Sequence, residues 1–337
     1  MIKIEKNKSL AAYTTLKLGG KAQYFTIVKN KEDLLTAINQ ANKDKLKITI
    51  LGGGSNLLIT GDVSGLVIKN EIKGMRLIKK NKTTALVESL SGEVWSKFVS
   101  FAVNQKLYGL ENLFLIYGTV GAAPVQNIGA YGVELKDVFD HLIAINLRTG
   151  KEKKFLLADC HFAYRDSVFK RKLKGKYFIY SVAVKLSYRS NFKLDYGSIR
   201  ENLLAKGIKQ PTLKEVVRVI EEIRNSKLPN PNILPNAGSF FKNPEISVSA
   251  FKLLHKKYPN MPYFPSGRKI KVPAGWLIEQ AGFKGKKFGQ VRMYEKQALI
   301  LVNEGANAKQ ALSLITLIQK TIKNKFAIDL QAEVNII

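Results

Sequence analysis

Apolar positions along the chain change their period several times, and each change predicts an element. Asn30 precedes Lys31-Glu32-Asp33, and Leu34, Leu35, Ala37, Ile38 and Ala41 then recur at helical spacing, which predicts a capped amphipathic helix. Ile48–Leu51 reads as a short strand running into Gly52-Gly53-Gly54-Ser55-Asn56. Leu66–Ile68, Ala85–Val87, Leu142–Leu147 and Tyr177–Leu186 read as further strands. Ser91 is placed to cap a helix carrying Val94, Trp95, Phe98, Ala102 and Leu107. After about Tyr188 the character changes. Thr212-Leu213-Lys214-Glu215 is a capping-box pattern, followed on one face by Val216, Val217, Ile220 and Ile223. Lys227-Leu228-Pro229-Asn230-Pro231 must stop that helix. A last helix starts near Asn307, and Ile328, Leu330, Ala332, Val334 and Ile336 then alternate with polar residues as one strand would. There is no internal repeat and no low-complexity linker, and the change of character places a domain boundary near residues 188–200.

Composition adds bounds. The chain has 337 residues, 45% of them hydrophobic and 24% charged, which is ample for packed cores and suggests two or three domains. No stretch approaches the roughly 20 apolar residues of a membrane span, and the N-terminus lacks the apolar segment of a signal peptide. With Cys160 the sole cysteine, no internal disulfide can form, and a reduced cytoplasmic setting is expected. Lys and Arg number 55 against 26 Asp and Glu, a net charge of +29. The lysines are spread along the whole chain, and the densest run, Lys170 to Lys176, holds no aromatic stacking platform. The charge therefore favours anionic small substrates over nucleic acid.

Two glycine regions carry candidate chemistry. Gly52–Asn56 follows a strand and is either a tight turn or a phosphate cradle, since glycines let backbone amides approach an anion closely. Gly118–Gly132 holds four glycines and three alanines in fifteen residues, poor material for helix or strand. It is either a glycine-rich core connection or a surface on which a cofactor lies against the backbone. Tyr164-Arg165-Asp166-Ser167 and Asn236–Pro244 are compact polar groups. Taken alone, each is a hydrogen-bonded turn or a site offering an oxyanion-stabilising Arg165 and a proton-bearing Ser239. By itself Glu333 reads as the solvated face of the last strand. His141, His161 and His255 have no ligand spacing, so no metal is expected.

Seven motifs in order resemble the UDP-N-acetylenolpyruvoylglucosamine reductase family, flavoenzymes also called UDP-N-acetylmuramate dehydrogenases. They are Thr14–Gly20, Gly52–Leu58, Gly118–Gly132, Phe162–Lys170, Asn236–Pro244, Ala274–Gly285 and Gln297–Asn303. Asp195-Tyr196-Gly197 resembles the form of the family with a substrate-closing tyrosine loop. The resemblance implies an α+β fold. An FAD-binding domain of the vanillyl-alcohol-oxidase type would span 1–190 in two subdomains, about 1–70 and 71–190. A C-terminal α+β substrate-binding domain would span 191–337, its last strand contributing to the active site.

The resemblance further implies noncovalent FAD, NADPH as reductant and the enolpyruvyl ether of UDP-N-acetylglucosamine as substrate, reduced to UDP-N-acetylmuramate for peptidoglycan synthesis. A cytoplasmic monomer without nucleic-acid or membrane partners is expected. By resemblance, Gly52, Gly53, Gly54, Ser55, Asn56, Gly118, Thr119, Val120, Gly121, Ala122, Gln126, Asn127, Gly129, Ala130 and Tyr131 hold the cofactor. Tyr164, Tyr196, Lys227, Asn243 and Gln297 grip the UDP-sugar, Lys227 as a point charge on the diphosphate. Arg165, Ser239 and Glu333 are catalytic. Arg165 and Glu333 stabilise charge building on the enolpyruvyl carboxylate, and Ser239 delivers the proton. A carboxylate beside an enolate is repulsive unless it carries or shares a proton. One departure stands out: Tyr117 precedes Gly118 where the family usually has proline. The competing readings are a flavin-dependent oxidase of the same fold with another substrate, and a basic nucleic-acid-binding protein.

Overall fold

The structure is a computed structural model and describes residues 2–337. The chain divides into two compact units that interleave along the sequence. The first takes residues 1–8, 21–54 and 63–226, and the second takes 9–20, 55–62 and 227–337. Residues 191–226 pack with the first unit because Leu194, Ile199, Leu203, Val216, Val219, Ile220 and Ile223 form one buried cluster there. Two early segments leave the first unit for the second.

The first unit holds two sheets. In one, the strands run Glu5–Ser9, Lys21–Val28, Val63–Asn70, Ile48–Leu51, and the last three are parallel neighbours. The helix Lys31–Lys43 covers one face with Leu34, Ala37, Ile38 and Ala41. Asn30 caps it as expected, accepting from the Asp33 amide at 2.8 Å. The chain turns into Val63–Asn70 at Gly65, where φ is +82° and a Cβ would sit 2.1 Å from the Lys47 carbonyl, so only glycine fits. The second sheet is antiparallel, ordered Glu152–Leu156, Phe139–Asn146, Tyr177–Ser187, Thr84–Leu90, Met75–Lys80. The helix Trp95–Asn104 buries Trp95, Phe98, Val99 and Ala102 against it. Ser91 does not cap that helix. Its hydroxyl accepts from Asn70 Nδ2 at 2.8 Å, and Val94 holds the cap position without a side-chain bond. The basic run Lys170–Lys176 is a mostly exposed turn segment.

The second unit is built on the sheet Asn236–Ser239, Ile300–Asn303, Val291–Met293, Lys287–Phe288. The helix Ala308–Phe326 starts where expected, is capped by Asn307 with Gln310, and packs Ala311, Leu314, Ile315, Ile318 and Ile322 into the same core as Leu16, Leu18 and Leu58. The alternating C-terminal stretch forms less strand than its pattern predicts. Only Asn335–Ile336 is a strand, parallel to Leu57–Leu58, and Ala332 makes an isolated bridge to Phe241. Three of its apolar side chains still point inward: Ile328, Leu330 and Val334 are buried, whereas Ile336 is exposed. No helix among the described residues is long and apolar enough to cross a membrane.

Candidate active site

In the first unit the two glycine regions, some sixty residues apart in sequence, meet backbone to backbone. A Cβ on Gly53 would lie 2.9 Å from Gly118 Cα, and one on Gly52 would lie 2.8 Å from Thr119 Oγ1. Gly54 adopts φ +67°, turning the chain out of the strand before Ser55. Thr119 Oγ1 is buried and has no hydrogen-bond partner among the described residues. An orphaned buried hydroxyl costs on the order of 1–3 kcal/mol, so this one is built for a polar guest. Beneath the loop, Lys69 Nζ donates to the Gly52 carbonyl at 2.6 Å. Close backbones, an orphaned hydroxyl and a cation are what the pyrophosphate of a dinucleotide requires.

Three of the residues expected at the cofactor are tied by hydrogen bonds within the protein. Val120 is fully buried, and its amide donates to the Glu93 carbonyl at 2.9 Å. The Gly121 amide donates to the Ser91 carbonyl at 2.9 Å, and a Cβ there would sit 2.5 Å from Ser91 Cβ. Asn127, at φ +44°, is fully buried. It donates to Glu134 at 2.9 Å and to the Ala163 carbonyl at 3.1 Å, while accepting from the Lys136 amide at 3.0 Å. These bonds fix the shape of the loop. Ala122 and Gln126 stay partly accessible, and Gly129-Ala130 form a small hairpin with Val133-Glu134.

Arg165 is held against that hairpin. Its Nη2 donates to the Gly129 carbonyl at 2.5 Å, a Cβ on Gly129 would lie 2.9 Å from its Nη1, and its guanidinium stands 5.3 Å over the Tyr164 ring. Tyr131, at φ +49°, is fixed by Asn112 Nδ2 donating to its carbonyl at 2.8 Å. A Cβ on Gly197 would fall 2.5 Å from the Tyr131 ring, and Tyr196 packs against Gly132. The expected tyrosine loop thus lies directly on the second glycine region. The Tyr131 phenol hydrogen-bonds Arg224, whose charge burial disfavours and which Tyr131 and Tyr117 hold in place; its Nε is buried without a partner among the described residues. Sequence reading missed both Arg224 and Lys69. Each is one basic residue among many, on an element whose apolar period gives it no mark.

The second unit gathers the other catalytic candidates. Asn236–Ser239 pairs with Ile300–Asn303 through an irregular register, and Gly238 at φ +67° turns Ser239 outward while Phe240 and Phe241 are buried. The Phe240 carbonyl accepts from the Glu333 amide at 2.8 Å, so Ser239 and Glu333 are backbone neighbours. Glu333 is half-buried, not a solvated strand face, because its segment lies along Phe240-Phe241. Asn56 is tied to the same segment: its Nδ2 donates to the Glu333 carbonyl at 3.4 Å and its carbonyl accepts from the Asn335 amide at 3.1 Å. Asn243 Oδ1 accepts from the Ala274 amide at 2.9 Å. Gln297 Oε1 lies against Gly275, and Lys227 is exposed at the end of its helix. No cluster of three His, Cys, Asp or Glu able to hold a metal occurs among the described residues. Burial pushes the Cys160 thiol up to about 12, so it offers no nucleophile.

Residues 22–154 match the sequence profile of an FAD binding domain, and residues 229–337 match that of the C-terminal domain of UDP-N-acetylenolpyruvoylglucosamine reductase. The protein of that name from Flavobacterium johnsoniae is 46% identical over 339 residues, covering 100% of each chain. The chain belongs to the UDP-N-acetylenolpyruvoylglucosamine reductase family. Reductases of Pseudomonas syringae pv. tomato and Pseudomonas aeruginosa are 42% and 41% identical, over 99% of this chain and 98% and 99% of theirs. The crystal structure of the Thermus caldophilus reductase shares the fold, with a TM-score of 0.66 at 22% identity across 100% of this chain and 98% of that one. Both touching glycine regions of this reductase-family chain fall inside the FAD binding match, and Ser239 and Glu333 fall inside the C-terminal one.

Proposed function

We propose that this chain reduces the enolpyruvyl ether of UDP-N-acetylglucosamine to UDP-N-acetylmuramate in peptidoglycan synthesis, with noncovalent FAD and with NADPH as reductant. The observation that carries the reading is the Glu333 amide on the Phe240 carbonyl, which brings the segment of Glu333 alongside that of Ser239 although the two are far apart in sequence. FAD held by the Gly52–Thr119 cradle would supply the hydride for the terminal vinyl carbon. Ser239 Oγ gives its proton to the carbon bearing the ether oxygen, completing addition across the double bond. Arg165, pinned on the Gly129 carbonyl, stabilises charge building on the enolpyruvyl carboxylate. Glu333 supports that charge as a proton-sharing carboxyl. Lys227 meets the diphosphate as a point charge, and Tyr164, Tyr196 and Gln297 contact the sugar nucleotide. Asn243 spends its oxygen on the Ala274 amide, which leaves its Nδ2 hydrogens for substrate. The protein works as a cytoplasmic monomer on this small molecule.

The test is anaerobic. NADPH bleaches the flavin absorption of the purified protein, and the enolpyruvyl UDP-sugar restores it with formation of UDP-N-acetylmuramate. Flavin that is reoxidised by oxygen but not by the UDP-sugar would make the protein an oxidase of the same fold and sink the proposal.

A further inference from the structure

Lys69 lies where a lysine is least at ease. It stands in the strand Val63–Asn70 with Ile27 and Leu51 directly abreast on the neighbouring strands, so its stem shares a sheet face with apolar side chains. A lysine in such a place usually extends its stem and carries the ammonium to water. Here the ammonium is turned under the first glycine loop, 2.6 Å from the Gly52 carbonyl. Burial holds its pKa below the ordinary lysine range, with Lys73 adding repulsion and Glu71 only partly compensating. An ammonium has three donors, and the Gly52 carbonyl takes one. Gly52 is also the residue whose missing side chain leaves room for Thr119 Oγ1, the buried hydroxyl without a partner. A desolvated cation and an orphaned hydroxyl therefore flank one glycine, and both lack the same thing, an anionic acceptor.

We infer that Lys69 is a cofactor-binding residue that gives the Gly52–Thr119 cradle a full positive charge and stabilises the pyrophosphate of FAD there. The inference rests on the reading that these glycine loops receive FAD, and it adds a side chain that no motif contains. Loop amides alone offer partial charges, whereas a fixed ammonium in a low-dielectric setting attracts a dianionic group strongly and is screened by salt only in part. A lysine that merely straps the Gly52 carbonyl would act on the empty protein as much as on the loaded one.

The experiment strips FAD from the protein and titrates it back, following the quenching of flavin fluorescence, for the wild type, Lys69→Met and Lys69→Arg at several salt concentrations. Lys69→Met is expected to weaken FAD binding about 30-fold, or about 2 kcal/mol, and to flatten the salt dependence, while Lys69→Arg stays close to the wild type. The melting temperature of the stripped protein is expected to change little. A Lys69→Met affinity within threefold of the wild type overturns the inference. Weakening in both variants with an unaltered salt dependence and a less stable stripped protein also overturns it, leaving Lys69 a structural strap. Failure of the wild type itself to take up FAD would instead overturn the reading of the loops.

Discussion

The two units prepare their chemistry by opposite means. In the first, the decisive groups are those a side chain would displace: Gly52 against Thr119, Gly53 against Gly118, and Gly121 against Ser91 leave no room for a methyl group. In the second, the decisive groups are side chains, Ser239 and Glu333, hung on segments whose backbones bond each other. Function and fold are therefore hard to separate in the glycine loops. They separate readily around Ser239, which is exposed and carries no packing. The contrast teaches that the first unit's candidate chemistry depends on backbone geometry and the second unit's on single side-chain atoms.

The sharpest way to break this comparison is Ser239→Ala. Product formation should fall by about 10²–10⁴-fold, the usual worth of a positioned proton donor. The melting temperature and the bleaching of flavin by NADPH should stay near the wild type in stopped-flow traces. A parallel loss of both half-reactions would show that Ser239 does not act at the proton-transfer step. Next comes Gly121→Ala, whose new methyl would meet Ser91 Cβ at 2.5 Å and the Ser91 carbonyl at 3.1 Å. Overpacking of this kind costs about 1–3 kcal/mol, so thermal melting should drop and bound flavin per chain should drop with it. Retention of full flavin content at a lowered melting temperature would uncouple the loop's shape from the cofactor.

The smallest effect concerns pH. Glu111 is buried beside Asn112, which fixes Tyr131, and burial holds its carboxyl above the ordinary glutamate range although the Gly109 amide donates to it at 2.6 Å. A raised folded pKa means that the stability tied to this group is complete below the unfolded value of about 4.3 and is lost as pH climbs through the folded value. Glu111→Gln removes that loss. Relative to the wild type, the variant should gain stability, read from denaturant midpoints, as pH rises above about 4.3. A difference that stays flat with pH would place the charge cost elsewhere.

Much of this was legible in the residues. The Asn30 and Asn307 caps, the Thr212–Glu215 box and the long apolar strands are local decisions, made within a few residues. The glycine regions announce themselves by composition, because few other demands concentrate so many small residues. What the sequence withheld was non-local. The unit boundary depends on which core residues 191–226 join, and the C-terminal alternation is satisfied by burial without a full ladder. Val120, Gly121 and Asn127 sit inside the motif and are bonded within the protein, since the motif records conformation as well as contact. Lys69 and Arg224 become visible only when desolvation is known.

The interleaving of the units also sets a timetable for synthesis. Thr15 hydrogen-bonds the Asn236 carbonyl 221 positions later, and the Leu16 carbonyl is reached by Asn303 only after 287. At a ribosomal pace of about 5–20 residues per second, the first of these partners follows by roughly 10–45 s. For that interval Leu16 and Leu18, later among the most buried residues of the protein, travel with no core of their own to enter. The nascent chain, more than the folded protein, is the form that exposes these apolar side chains.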